Sequence, residues 1–196
     1  MRFSRRSFIA FAAGCLASAG EVFAGERKST FLRPPGAVAE DEFLARCNRC
    51  QKCVQVCPTR VIVPASLENG LMSVNTPHVS FKKSYCNSCL ECSKVCPTGA
   101  LKPVTKETLD IGAAVIVKKD CVAWDFTGCT VCVDKCPLKA IELDEAKRPV
   151  IRTDKCNGCG ICEVVCPAPS LRSHIQNKGI IVINRAEAEA GGGFRE

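Results

Sequence analysis

The sequence predicts an α+β fold in which short helices and small β-hairpins form tandem modules, each gathered around a group of cysteines. Three observations lead there. Sixteen of the 17 cysteines in this 196-residue chain fall into four groups of four, each followed by proline. Short β-branched runs flank the groups, as brief strands require. Apolar burial is too scarce to carry the fold alone: the 46% hydrophobic share drops to about 37% without cysteine, and aromatics reach only 6%. The length allows one domain or two small ones. A membrane protein is not expected, because the longest apolar stretch, residues 8–20, falls short of the roughly 20 residues a spanning helix needs.

The chain opens on an address. Ser4-Arg5-Arg6-Ser7-Phe8-Ile9 sets paired arginines before a weakly hydrophobic stretch, as in a twin-arginine export signal. Val22 and Ala24 supply the residues a signal peptidase accepts, so residues 1–24 are expected to be removed after Ala24 and the protein to reach the periplasm. An ordinary secretory signal that happens to carry two arginines is the competing reading. Cys15, in Ala12-Ala13-Gly14-Cys15, faintly resembles a lipoprotein box. The stretch before it is short and Ala12 is a poor first residue, so Cys15 is expected to leave with the signal.

After a lead segment at residues 25–46 come the groups. They are Cys47, Cys50, Cys53, Cys57; Cys86, Cys89, Cys92, Cys96; Cys121, Cys129, Cys132, Cys136; and Cys156, Cys159, Cys162, Cys166. Three share the spacing C-x2-C-x2-C-x3-C-P, and the third differs only by a seven-residue gap after Cys121. The groups recur at intervals of 39, 35 and 35 residues, an internal repeat that organises the whole mature chain. The spacing suits 4Fe-4S ligation. Three thiolates with two residues between successive ones wrap one tight turn and reach three irons of a cubane. The fourth rides a short helix that proline stops, and is carried to the other cluster of a pair. All sixteen cysteines are therefore candidate ligands, to four 4Fe-4S clusters.

Three rivals fit less well. Disulfides suit an even count in an oxidising compartment, but sulfurs packed on one turn lack separate partners. Structural zinc takes two separated knuckles rather than a triplet plus one. A c-type haem needs a histidine after the second cysteine, and neither His78 nor His174 is so placed.

The formal charge of +7 invites a nucleic-acid partner until the clusters are counted. Without the signal it is +5, and sixteen thiolates around four cubanes of charge 2+ take the oxidised protein to about −3. The basic residues then offset cluster charge, and no nucleic acid is expected.

The segments between groups read as ferredoxin strands. Exits follow the prolines at Val61-Ile62-Val63, Ala100-Leu101 and Ala140-Ile141, and stretches at Val79-Ser80-Phe81, residues 113–117 and Val150-Ile151 lead into the next groups. Bacterial two-cluster ferredoxin-like modules are thus expected at residues 47–112 and 113–184. Residues 65–77 read as a loop turning at Asn69-Gly70, and residues 185–196 as a flexible tail. The clusters should supply much of the folding free energy, leaving the apoprotein unfolded. Tyr85 and Trp124, beside cysteines, either shield a cluster or fill space. Arg46, Arg49, Lys94 and Lys135 either dock an acidic partner or face water.

Two features narrow the family. Phe31-Leu32-Arg33-Pro34-Pro35-Gly36-Ala37, an acidic segment ending Phe43-Leu44-Ala45-Arg46, and four cysteine groups together resemble the NapG/MauM ferredoxin-type proteins. So do Gly112-Ala113-Ala114-Val115 and the stretched third group. The resemblance spans roughly residues 1–175. It implies a periplasmic electron carrier, without substrate chemistry of its own, that works with a membrane-bound quinol-oxidising polyferredoxin. The acceptor it implies is a periplasmic redox enzyme of nitrate-reductase or methylamine-utilisation type. The uniform spacing of the second group and the short C-terminus depart from the nitrate-reductase branch. Two other classes stay open: a subunit held on a molybdenum oxidoreductase, and an assembly factor. No nucleophile–base set, paired carboxylate or phosphate loop points to catalysis.

The links between groups, from each fourth cysteine to the next first one, are 28, 24 and 19 residues long. The shortest matches compact two-cluster ferredoxins, so adjacent groups are expected to pair and to exchange their fourth cysteines. The rival nests the first group with the fourth, as in four-cluster subunits.

Overall fold

The computed structural model describes residues 31–126, 128–171, 177–191 and 194–195. The export signal at residues 1–24, Cys15 and His174 lie outside the described residues.

The lead segment acts as a strap. Pro34-Pro35 starts a turn closed by the Ala37 N–H on the Pro34 carbonyl at 3.2 Å. Gly36 takes φ +82°, and a Cβ there would overlap the Lys102 carbonyl, so only glycine fits. The segment then pairs on both sides. Leu32 accepts from Val79 N–H, Gly36 accepts from Lys102 N–H at 2.7 Å each, and Ala37 bridges Leu101. Arg33 anchors it from within. Its buried guanidinium reaches both Glu40 oxygens, Thr76 Oγ1 at 2.9 Å and the Pro77 carbonyl at 2.8 Å, and lies over the Phe31 and Phe43 rings.

Helix α1 (Glu40–Arg46) follows, with Glu40, Asp41 and Glu42 in its first turn and Arg46 in its last, the arrangement its dipole favours. It buries Phe43 and hands the chain to Cys47. The first half continues with α2 (Lys52–Gln55), the antiparallel pair β1 (Ile62–Pro64) and β2 (Pro77–Val79), and α3 (Glu91–Lys94). Between β1 and β2 the expected loop contains two 3-10 turns, Leu67–Asn69 and Leu71–Ser73. Ser66 and Asn69 form a capping box, and Gly70 lies at φ +96°.

The second half is built on β3 (Ala113–Val117), buried along its whole length. Next come α4 (Val122–Asp125), α5 (Val131–Lys135), the hairpin β4 (Ile141–Leu143) and β5 (Pro149–Ile151), α6 (Ile161–Val165), α7 (Ala168–Leu171) and β6 (Ile180–Ile183). β3 pairs antiparallel with β6. The runs read as strands form them with two exceptions: Ala100-Leu101 makes only the bridge to Ala37, and the strand expected at Val79-Ser80-Phe81 lies earlier, at Pro77–Val79.

The C-terminus corrects the expectation of a loose tail from residue 185. Residues Arg185–Ala190 form helix α8, capped where Asn184 Oδ1 accepts the Ala186 N–H, with Ala188 fully buried. Arg185 clamps it: its guanidinium donates to Asp110 at 2.7 Å, to the Cys156 carbonyl at 2.7 Å and to the Thr153 carbonyl at 2.8 Å. Beyond it, β7 (Phe194–Arg195) pairs parallel to β3, giving the strand order β6-β3-β7. Alternating alanine lets the helix lie close to the sheet, a fit that composition alone does not reveal.

The halves meet on the second and fourth cysteine groups. Cys86 N–H donates to the Cys159 carbonyl at 2.8 Å, and Ile111 N–H to Asn157 at 3.1 Å. Gly158 abuts the Gly112 backbone, and Phe81 occupies the space where a Cβ at Gly160 would stand.

Candidate metal centres

Sixteen cysteines line four small cavities among the described residues. Cys47, Cys50 and Cys53 are joined by Cys96; Cys86, Cys89 and Cys92 by Cys57. Cys121, Cys129 and Cys132 are joined by Cys166; Cys156, Cys159 and Cys162 by Cys136. Adjacent groups therefore share sites and cross their fourth cysteines, as the link lengths suggested, and the nested arrangement is absent. Each site joins the three cysteines of one group's turn to the fourth of the neighbouring group, so all four offer the same set of donors.

Local backbone shapes three of these cradles alike. The residues flanking the second cysteine adopt left-handed conformations: Arg49 and Gln51, Ser88 and Leu90, Gly158 and Gly160, at φ between 57° and 81°. Alternating hand turns successive N–H groups inward, forming a nest that favours a negative occupant. An asparagine after the first cysteine braces each loop. Asn48, Asn87 and Asn157 accept from the N–H of Cys50, Cys89 and Cys159 at 3.3, 3.3 and 3.1 Å. The third site departs because its seven-residue gap forms α4, with Gly128 at φ +116°. The third cysteine of every group, Cys53, Cys92, Cys132 and Cys162, is buried on the helix that follows the turn.

Apolar walls complete the sites: Phe43 and Leu101 at the first, Val61 and Leu90 at the second, Ile116 and Ile180 at the third, Ile141 and Val182 at the fourth. Burial, then the crowding of neighbouring sulfurs, pushes the Cys92 and Cys132 thiols up to about 12 and Cys53 up to about 11. Cys159 also rises to about 11, and Cys162 is driven well above its ordinary value. Thiols so placed hold their protons until a cation compensates them. Cys57 and Cys96 move the other way. Burial opposes ionisation there, but the Thr59 and Thr98 hydroxyls, each 3.6 Å from a sulfur, and nearby backbone N–H groups outweigh it.

The donor set fits a cubane. Four thiols line each cavity, and among the described residues no three His, Cys, Asp or Glu side chains converge to hold a single metal ion. Backbone N–H groups also approach sulfur, from Leu101 to Cys96 at 3.4 Å, Ala140 to Cys136 at 3.3 Å and Ala114 to Cys156 at 3.5 Å. Such bonds favour thiolate and the negative cluster it would hold.

Several supporting residues were missed from sequence. The repeated Cys-Asn-x-Cys and Cys-Pro-Thr would have revealed the asparagines and threonines. Lys178, which donates to the Cys166 carbonyl at 2.9 Å, and Arg185 lie too far along the chain to carry a local signal. Of the aromatic candidates, Trp124 is half-buried between Lys118 and Arg148, at 4.7 and 4.4 Å from its ring, while Tyr85 is 40% exposed. Arg46 and Lys94 pair with Glu42 and Glu91, and Arg49 donates to the Met72 carbonyl, so these three serve the chain itself; Lys135 is exposed.

Comparison with known proteins agrees with the geometry. A family described as a 4Fe-4S dicluster domain matches residues 46–100 and 127–169, leaving out Cys121 and most of the stretched gap. The chain is 32% identical over 184 residues to the ferredoxin-type protein NapG of Escherichia coli, covering 84% of this chain and 76% of that one. It is 36% identical over 154 residues to the methylamine utilization ferredoxin-type protein MauM of Methylophilus methylotrophus, covering 71% and 68%. Over 144 residues it is 33% identical to the ferredoxin-type protein NapF of Haemophilus influenzae, covering 71% and 77%.

Proposed function

The chain belongs to the ferredoxin-type family of NapG, MauM and NapF, and from that premise we propose that it is a periplasmic carrier of electrons on four 4Fe-4S clusters. The observation that carries the reading is the set of four cavities, each lined by four cysteines with the fourth crossed from the neighbouring group. The ligands are Cys47, Cys50, Cys53 and Cys96; Cys86, Cys89, Cys92 and Cys57; Cys121, Cys129, Cys132 and Cys166; and Cys156, Cys159, Cys162 and Cys136.

A bound cubane supplies one-electron storage near constant geometry. The protein does the rest. Thiolates fix the iron, inward N–H groups stabilise the negative charge, and apolar walls keep water from the sulfurs. Electrons come from a membrane-bound quinol-oxidising polyferredoxin and pass to a periplasmic redox enzyme, of the nitrate-reductase or methylamine-utilisation type. The paired arginines at Arg5-Arg6 support export in the folded state, which lets iron be inserted before the thiols meet an oxidising compartment. Among the described residues no helix is long and apolar enough to cross a membrane.

Anaerobically purified protein should contain about sixteen iron and sixteen acid-labile sulfide per chain. Stoichiometric zinc without sulfide would overturn the reading.

A further inference from the structure

We propose that the four sites stand in series in the order first, second, fourth, third, with the Cys86–Cys159 backbone bridge as the passage between the halves. The inference rests on the four-cluster reading and goes beyond it by assigning the path and its two ends.

Within each half the crossed fourth cysteines hold two sites together, first with second and third with fourth. The passage between halves is then the open question. The hydrogen bonds that cross it are Cys86 N–H on the Cys159 carbonyl at 2.8 Å, Ile111 N–H on the Asn157 carbonyl at 3.1 Å, and those from Arg185 to Asp110 and the Gly112 carbonyl. Both partners of the first bond are ligand positions, so one hydrogen bond links the two cradles. Packing repeats the pattern. Phe81 fills the place of a side chain at Gly160, and Gly158 rests on Gly112.

The surface carries an independent sign. The five most exposed large apolar side chains, 54–77% exposed, flank the two end sites. Leu67, Leu71 and Met72 sit on a loop that Arg49 and Gln51, from between the first-group cysteines, hold by the Met72 and Asn75 carbonyls at 3.0 and 2.6 Å. Phe126 lies in the stretched gap of the third group, and Leu171 ends the helix that follows Cys166. Cys50, in the first site, is the one exposed cysteine among the described residues. Middle sites pack against each other; end sites face outward. Electrons thus enter from the quinol-oxidising partner and leave to the redox enzyme at opposite ends. Each internal passage takes one electron from a reduced cubane to an oxidised neighbour, with no bond made or broken and no proton moved.

Dipolar EPR of the fully reduced holoprotein tests the order, using Cys50→Ala, Cys89→Ala, Cys129→Ala and Cys159→Ala to empty the first, second, third and fourth sites. Emptying the second should leave the first magnetically isolated and the third and fourth coupled. Emptying the fourth should isolate the third and leave the first and second coupled. Emptying the first or third should leave three coupled clusters. An isolated signal in Cys50→Ala or Cys129→Ala, or coupling of the first site that survives in Cys89→Ala, overturns the order. Where a variant loses more than one cluster, iron positions in a crystal of the wild-type holoprotein decide: the second and fourth must be the nearest pair across the halves. Iron analysis of the same wild-type preparation separates the two failures. Far fewer than sixteen iron sinks the four-cluster reading, whereas sixteen iron with another coupling pattern sinks the order alone.

Discussion

Replacing Arg33 by methionine should loosen the whole first half, although the residue touches no cysteine. Its guanidinium forms two bonds to Glu40 and one each to Thr76 Oγ1 and the Pro77 carbonyl, and stacks on Phe31 and Phe43. Methionine keeps the apolar stem but strands the Glu40 carboxylate and the Pro77 carbonyl. Breaking a buried ion pair costs about 3–5 kcal/mol. The Glu40 side chain keeps 24% of its surface in water, so the lower end, about 3 kcal/mol, applies here. For a chain of this size that corresponds to a fall of about 6–12 °C in midpoint. Unfolding with cluster loss is irreversible, so the assay is bleaching of the visible cluster absorbance at one fixed heating rate, compared between variants. Arg33→Met with Glu40→Met should recover most of the loss, because an apolar pair of similar volume leaves no stranded charge. A single variant within about 3 °C of wild type, or a double variant worse than the single, would refute the reasoning.

Three further outcomes follow from the same residues. Burial, then the charges of Arg33 and Lys82, hold the His78 imidazole below its ordinary value of 6.5, so the folded state binds fewer protons than the unfolded one. Stability from this site is present above about pH 6.5 and lost as pH falls below it; His78→Phe should flatten that part of a midpoint-against-pH curve between 7.5 and 5.5, and an unchanged slope would remove histidine as its cause. Thr59→Val and Thr98→Val should each lower the reduction potential of the site whose sulfur loses its hydroxyl, since such bonds favour the more negative reduced cluster, while Thr59→Ser and Thr98→Ser keep it; redox titration followed by EPR reads this, and a rise in potential counts against it. Changing Arg5-Arg6 to Lys-Lys should leave cluster-bearing protein in the cytoplasm, and undiminished periplasmic protein on fractionation would show another export route.

The sites were legible because their chemistry is local. Ligands three residues apart, a proline after the fourth, and links of 28, 24 and 19 residues were enough to place sixteen cysteines and to suggest their pairing. Strands at residues 62–64 and 113–117 announced themselves as β-branched runs. What stayed hidden depends on residues distant in sequence. Arg33 is conspicuous in Arg33-Pro34-Pro35, but its partners Thr76 and Pro77 are 43 and 44 residues away. Nothing in the spacing says that Cys86 will donate to Cys159. Helix α8 was mistaken for a tail because Asn184 and the alternating alanines signal a helix only once Asp110 and β3 are there to receive it.

The strap at residues 31–38 also imposes a timetable. Ribosomes deliver these residues before any cysteine of the groups, yet their partners are Val79, Ala100, Leu101 and Lys102. The part of the folded body made first is therefore fastened only after two complete cysteine groups have been synthesised. Until then the first half stays open along one side. It closes when Gly36 locks under the Lys102 carbonyl. A chain ending before Leu101 would carry every cysteine of the first two sites and yet lack the partners that fasten Gly36 and Ala37.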